Sequence, residues 1–468
     1  MTAEAEGPDS KSALARASWV MAAGTALSRL TGFGRIAALA AAFGFTRLTD
    51  AYNLANTTPN ILYELVLGGV LGGTLVTVFT RHLRNDEDGG RAAVSAVVGV
   101  AAVTLIAISL LLAVAAPLVI GLYSTGAGFP SDQREVATSL LRWFAPQVAI
   151  LGIITLAGAL LNARRRFAAP MWAPIAANVA IIGVVLGAGS AFGTGLDAAE
   201  AAQRPGLVIL LGAGTTAAYA LQAGILFVCL RRTNVWGGWQ WQPGHPAVRT
   251  VLRLSGWLVG LTAANQIALW VMLTLAGRRA GGISSFRAAE LFFQLPHAVI
   301  TVSVASAVLP GLAELWAEDR RAEFARRTRW ALRSTAALVI PAALALFLLA
   351  RPVVAIALER GALSSSSVDL TTDVLRMLAL GIPGFSGFLL LVRCCFAMAD
   401  TRAAFWLYVL QNSVAVIVAV TTFDRLGVRA LGLAYAVSYS LAALAAVVYV
   451  GRRTGASLLY PSGANPDH

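Results

Sequence analysis

The stretch Ser28–Asn60, SRLTGFGRIAALAAAFGFTRLTDAYNLANTTPN, carries the assignment of fold class. Its apolar residues belong to a membrane span, yet it holds Arg29, Arg35, Arg47 and Asp50. An arginine near the centre of a bilayer costs at least about 2.5 kcal/mol, so charge is kept there mainly where it faces a wet cavity or a partner. Arg29 and Arg35 are six residues apart, which on a straight helix sets them about 120° from each other. Gly32 and Gly34 lie between them, and a bend at these glycines would turn both guanidinium groups toward one water-filled space. A second reading stays open, in which both arginines lie near a helix end and snorkel to the interface.

The composition agrees with a membrane assignment. Of 468 residues, 57% are hydrophobic and only 13% are charged, against about 25% charged in ordinary soluble domains. Several apolar runs exceed the roughly 18 residues needed to cross a bilayer. Residues Met1 to Ser18 lack the basic start and apolar core of a cleavable signal peptide. The net charge of +13 is therefore read loop by loop as topology, and no nucleic-acid partner is expected. Cys229, Cys394 and Cys395, with His82, His245, His297 and His468, form no metal-site spacing and no disulfide framework. Neither a phosphate-binding glycine loop nor a nucleophile elbow is present, so the expectation is a non-enzyme without cofactor or metal.

Twelve spans are predicted, near 17–45, 50–82, 92–123, 135–163, 168–193, 206–231, 250–277, 284–316, 330–358, 368–398, 402–423 and 428–451. Pro59, Pro146, Pro296, Pro310, Pro341 and Pro383 fall inside them, and broken helices are tolerated where neighbours or a cavity satisfy the backbone. Arginine clusters at 81–91, 164–166, 231–249, 320–329, 402 and 452–453 fall on one set of connections. The positive-inside rule makes that set cytoplasmic, with both termini inside. The chain also reads as duplicated: Leu141-Arg142-Trp143 and Leu375-Arg376-Met377 each open a span containing a proline, half a chain apart. The predicted organisation is a tail at 1–16, a six-helix bundle at 17–232, a cytoplasmic crossover at 233–249, a second six-helix bundle at 250–453 and a tail at 454–468. Repeat-built transporters commonly place their site in a cavity where such bundles meet.

Against this background the residues can be matched to a family. S-R-L-T-G-F-G-R at 28–35, F-G at 43–44, T-D-A-Y at 49–52 and P-N-I-L at 59–62 resemble the MurJ/MviN lipid II flippases of the MATE-like exporter superfamily. So do L-N-A-R-R-R-F-A-A-P at 161–170 with Pro174 and Asn178, Q-L-P at 294–296, V-L-P at 308–310, and Phe396 with D-T-R at 400–402. The resemblance implies an all-α, MATE-like fold with a central cavity in the bacterial plasma membrane. It also implies outward movement of an undecaprenyl-pyrophosphate-linked peptidoglycan precursor by alternating access. Membrane lipids and cell-wall synthesis proteins are the other implied partners. The alternatives are another polyprenyl-linked glycan, a MATE-like exporter, or a degenerate member that scaffolds cell-wall synthesis.

On this resemblance Arg29 and Arg35 are the expected substrate ligands, and Asp50, opening the second helix, supports the gate. A diphosphate favours arginine, whose fork is permanently charged, over lysine. Family members often carry arginine just after P-N-L-L, where this chain has Tyr63 and Glu64. They also often carry one in the eighth helix, where Leu291 stands; Arg287 lies one turn earlier on the same face. Arg287, Asn56 and Tyr63 therefore join the candidate substrate set, with capping of the helix end as the other reading of Arg287. Glu64 and Glu290 are assigned to gating, to a coupling cation of unspecified identity or to pairing with cavity arginines, with exposure in the cavity and no specific role as the other reading. Asn60, Asn178, Asn265, Gln266 and Asn412 read as interhelical hydrogen-bonders. The run Gly68–Gly73 reads as a close helix approach, and Arg320–Arg333 as an amphipathic cytoplasmic segment with a solvated or headgroup-facing surface. Many members continue with two further helices lining a lipid-tail groove, whereas this chain ends in a polar tail after Arg453.

Overall fold

A computed structural model describes residues 8–68, 74–124, 128–233 and 238–458. Residues 69–73 of the glycine run, 234–237 of the crossover and the outer parts of both tails lie outside the described residues. All regular elements among the described residues are helical. By contacts the chain divides into two compact units.

The first unit comprises 8–43, 54–121 and 131–256. Its helices are α1 (Pro8–Phe43), most of α2 (Arg47–Tyr63), α3 (Thr74–Asn85), α4 (Arg91–Tyr123), α5 (Ser131–Phe144), α6 (Gln147–Ala163), α7 (Ala168–Phe192), the short α8 (Ala198–Ala202) and α9 (Pro205–Arg231). A π-helical turn, Glu64–Gly68, continues α2. Helices α5 and α6 are bent by 41° at Ala145-Pro146, where proline lacks the N–H that would carry the helix through.

The second unit holds 44–53, 122–130 and the chain from Trp257 onward. It contains most of α10 (Pro246–Ala276), then α11 (Gly282–Ala317), α12 (Arg321–Leu348), α13 (Ala350–Leu358), α14 (Ser365–Ala397), α15 (Thr401–Leu426) and α16 (Arg429–Thr454). The two short early segments group with it through specific bonds. Arg47 donates to the Gly128 carbonyl at 2.7 Å, and the Asp50 carboxylate is bound by Ser284.

Nine helices among the described residues are long and apolar enough to cross a membrane, or ten if the bent α5–α6 pair is one span. The predicted twelve are roughly matched. The two spans that fall short are the first two, α1 and α2–α3. Arg29 and Arg35 lower the hydropathy of the first; in the second, α2 is 17 residues long, and residues 69–73 before α3 lie outside the described residues.

Helix α4 shows how the remainder pack. Leu105, Leu112, Ala116 and Ile120 recur at helical spacing and are at most 3% exposed, while Leu111, Val114 and Leu118 on the other side are at least 67% exposed. Both faces are apolar because the outer one meets lipid. With lipid as the alternative environment, close van der Waals packing rather than removal from water holds such helices together. In the first unit the packed core includes Phe79, Val94, Leu156, Leu160 and Leu226. In the second it includes Leu312, Phe324, Phe388, Leu391 and Cys394.

Three connections repeat the same unusual backbone. Arg165 closes α6 with φ of 58°, Asp319 closes α11 with φ of 60°, and Ala399 closes α14 with φ of 57°. In each the next amide bonds back five residues, Arg166 to Leu161, Arg320 to Leu315 and Asp400 to Cys395. This is a Schellman closure with a side chain at the position where glycine is usual. Arg165 and Ala399 are offset by the distance that separates Leu141 from Leu375.

Candidate functional site

In the first unit the site is built on α1. This helix is continuous through Gly32 and Gly34, where a bend was expected. The glycines instead admit α7: a Cβ at Gly34 would lie 3.3 Å from Ile182, and one at Gly32 would lie 3.6 Å from the Asn178 amide. Asn178 fastens the approach by donating to the Ser28 carbonyl at 3.2 Å and the Thr31 hydroxyl at 3.1 Å.

The two arginines are held differently. Arg35 is half-buried, and its Nη1 donates to the Tyr219 hydroxyl of α9 at 2.9 Å. Arg29 is exposed and, among the described residues, has no hydrogen-bond or ion-pair partner. Arg35 is thus tied into the fold, whereas Arg29 has no partner among the described residues. On α2, Asn56 is half-buried and its carbonyl accepts from Asn60 at 2.7 Å. The Asn56 side-chain oxygen is buried without a partner among the described residues. Tyr63 and Glu64, both half-buried, sit where α2 passes into the π-helical turn. Such turns are rare and occur often at functional sites.

In the second unit Asp50 is fully buried. Its Oδ1 accepts from both the amide and the hydroxyl of Ser284, each at 2.8 Å. Thr49 and Asn53 converge on the same hydroxyl at 3.2 and 3.0 Å. Ser284 lies in the first turn of α11, whose N-cap, Gly281, has no side chain to offer. Asp50 therefore caps α11 from another helix, where a carboxylate also meets the positive end of the helix dipole.

Arg287 and Glu290, placed separately by the sequence, form one pair: Nη1 donates to Oε2 at 2.7 Å, one turn apart on α11. Gln294 approaches the other carboxylate oxygen at 3.5 Å. Glu290 thus takes the pairing role, and Arg287 already has its counter-charge. Asn265 and Asn412 bond to each other at 2.7 Å, joining α10 to α15. Sequence reasoning did not find Tyr219 or Ser284. A lone tyrosine or serine in an apolar run carries no signal, and their partners lie 184 and 234 residues away.

The family model described as "Lipid II flippase MurJ" matches residues 39–461. The chain belongs to that family. The match holds Asp50, Asn56, Tyr63, Glu64, Arg287 and Glu290, and begins just after Arg29 and Arg35. A probable lipid II flippase MurJ of Rhizobium meliloti (strain 1021) is 27% identical over 404 residues, covering 85% of this chain and 73% of the relative. A lipid II flippase MurJ of Burkholderia cenocepacia is 27% identical over 375 residues, covering 77% and 69%. Among solved structures, a lipid II flippase MurJ in an inward closed conformation superposes with a TM-score of 0.76 at 20% identity, covering 92% of this chain and 87% of that one. An inward-facing MATE family multidrug transporter gives 0.74 at 14% identity, covering 92% and 96%. The fold is that of the MurJ and MATE transporters.

Proposed function

We propose that this multi-pass membrane protein carries lipid II, the undecaprenyl-pyrophosphate-linked peptidoglycan precursor, from the inner to the outer leaflet of the bacterial plasma membrane. It is a transporter in this reading and makes or breaks no covalent bond. Membership of the family supports the substrate class. The observation that carries the reading is Arg29, a permanent cation within an apolar stretch of α1 and uncompensated within the described fold. Such a charge calls for an anion from outside the chain, and a diphosphate offers the bidentate acceptor that a guanidinium fits. Arg35, six residues on and about 120° round the same helix, is a second guanidinium of α1. Transport follows from alternate exposure of these groups to the two faces of the membrane. The arginine-rich connections and both termini face the cytoplasm. Glu64 and Glu290 are the candidates for gating or ion coupling, Glu290 in a pair with Arg287.

The test is depletion of the protein in its host with an assay of lipid-linked precursor in the outer leaflet, together with purified protein in vesicles loaded with labelled lipid II. Outer-leaflet precursor should fall on depletion, and the vesicles should expose label. Unchanged precursor combined with silent vesicles would sink the proposal.

A further inference from the structure

Along α12, α14 and α16 of the second unit lies a groove of about 280 Å³, apart from every residue assigned to transport. Arg329 and Arg333 line it nearest the start of α12, and Thr335, Val339, Ser386 and Val447 line the rest. Arg329 and Arg333 are one helical turn apart and so share a face. From Arg329 to Val339 the groove follows α12 for about 15 Å at 1.5 Å per residue. Ligand pockets usually measure about 300–1,000 Å³, so this one suits a single chain and no bulky glycan.

Its polar atoms are unfinished. Thr335 is 2% exposed, and its hydroxyl has no partner among the described residues. Other helical threonines, such as Thr104, Thr274 and Thr422, bond back to the carbonyl four residues earlier. Arg329 donates from Nη2 to the Ser457 carbonyl, but its Nε is buried without a partner among the described residues. Arg333 is exposed and has no ion-pair partner among them. A buried hydroxyl and a buried guanidinium N–H left unmet on one groove both call for an acceptor.

The surroundings say what kind of acceptor. Leu338, Ile340 and Leu344 on α12 are more than half exposed, as befits a helix bathed in acyl chains, and Trp330 is exposed beside the arginines. Tryptophan and arginine at one end of an apolar helix mark headgroup depth. We infer that the groove holds one acyl chain of an anionic phospholipid of the cytoplasmic leaflet. Its phosphate sits on Arg329 and Arg333, and its ester carbonyl accepts from Thr335.

Native mass spectrometry of the delipidated full-length protein, titrated with phosphatidylglycerol and separately with phosphatidylcholine, tests this. A phosphatidylglycerol adduct should survive where phosphatidylcholine leaves none. Arg329→Gln with Arg333→Gln should weaken it about tenfold or more, from the loss of charge-assisted bonds. Thr335→Val should also weaken it, while raising the thermal stability of the lipid-free protein by removing an unmet hydroxyl. Phosphatidylglycerol with a photoreactive acyl chain, irradiated with the unaltered protein, should label residues 329–339 or the neighbourhood of Val447, which keeps the test independent of variant folding. Equal binding of the two lipids, adducts unchanged in the variants, or labelling elsewhere would overturn the inference. So would displacement by substoichiometric undecaprenyl diphosphate, which would assign the groove to the carried lipid.

Discussion

Asp50 and Ser284 are 234 residues apart in the chain and bonded twice, amide and hydroxyl to one carboxylate oxygen. The same interval separates Arg165 from Ala399, which share a left-handed helix closure. One residue opens α2 and the other opens α11, so matched positions of a duplicated pattern touch. Removing the carboxylate leaves the buried Ser284 amide unmet, at about 1–3 kcal/mol, while its hydroxyl keeps Thr49 and Asn53. Asp50→Ala should therefore lower the detergent-solubilised melting temperature markedly, and Asp50→Asn, which keeps an acceptor, should do so less. Equal melting of Asp50→Ala and the unaltered protein would show that the cap contributes nothing.

Arg29→Ala and Arg35→Ala should each reduce flipping about tenfold or more, on the scale of a lost charge-assisted bond, with protein remaining in the membrane at normal level. Lysine at either position should restore only part, because it presents a point charge where arginine presents a fork. Flipping in vesicles, normalised to protein by immunoblot, gives the comparison. Loss of protein from the membrane would make the arginines structural instead.

Tyr219→Phe removes the hydroxyl that orients Arg35. Flipping should fall less than in Arg35→Ala, since the guanidinium stays but loses its anchor. Combined with Arg35→Ala the tyrosine change should add nothing, because the two act through one contact.

The Arg287–Glu290 pair is partly exposed, with 36% and 14% of the side chains accessible. A double-mutant cycle with Arg287→Ala and Glu290→Gln should give a coupling of roughly 0.5–1 kcal/mol by thermal stability. If Arg287 also meets substrate, Glu290→Gln should tighten substrate binding by releasing the guanidinium.

Gly281 has φ of 72°, and a Cβ there would lie 2.3 Å from the Phe45 carbonyl oxygen. Gly281→Ala should destabilise by more than the roughly 1 kcal/mol of a left-handed alanine, since the connection leading into α2 must also retreat. A melting temperature equal to that of the unaltered protein would contradict the close approach.

Asp400 lies in the connection before α15 and caps it, accepting from the Ala403 amide at 3.0 Å. Burial pushes its carboxyl up, but bonds from the Tyr449 hydroxyl and the Ala403 amide, with Arg453 and Arg402 nearby, bring it below the usual carboxylate range. A depressed folded value gives stability that is present above the unfolded pKa of about 3.9 and is lost as pH falls through the folded value. The stability gap between the unaltered protein and Asp400→Asn should be constant near neutral pH and close below about pH 4. A gap unchanged down to pH 2 would refute the assignment.

The membrane class, the helical fold and the family were legible in residues 28–62 and 161–170, because a charge inside an apolar run and a run of arginines after one both have few physical explanations. Asn178 was read as a link between helices, and it links two. The charges that matter were legible as types, not as partners. Nothing in the linear chain separates Arg29, left uncompensated, from Arg35, anchored on Tyr219, since both sit in one apolar run. Nothing marks Ser284 as the ligand of Asp50 or ties Arg287 to Glu290 in preference to a substrate. Membrane helices are apolar on their lipid face and on their packed face alike, so periodicity cannot say which way a side chain points. Which charges are balanced within the fold is decided by helix packing, which gives Asp50 its bonds to Ser284 and leaves Arg29 and the Thr335 hydroxyl without a partner among the described residues.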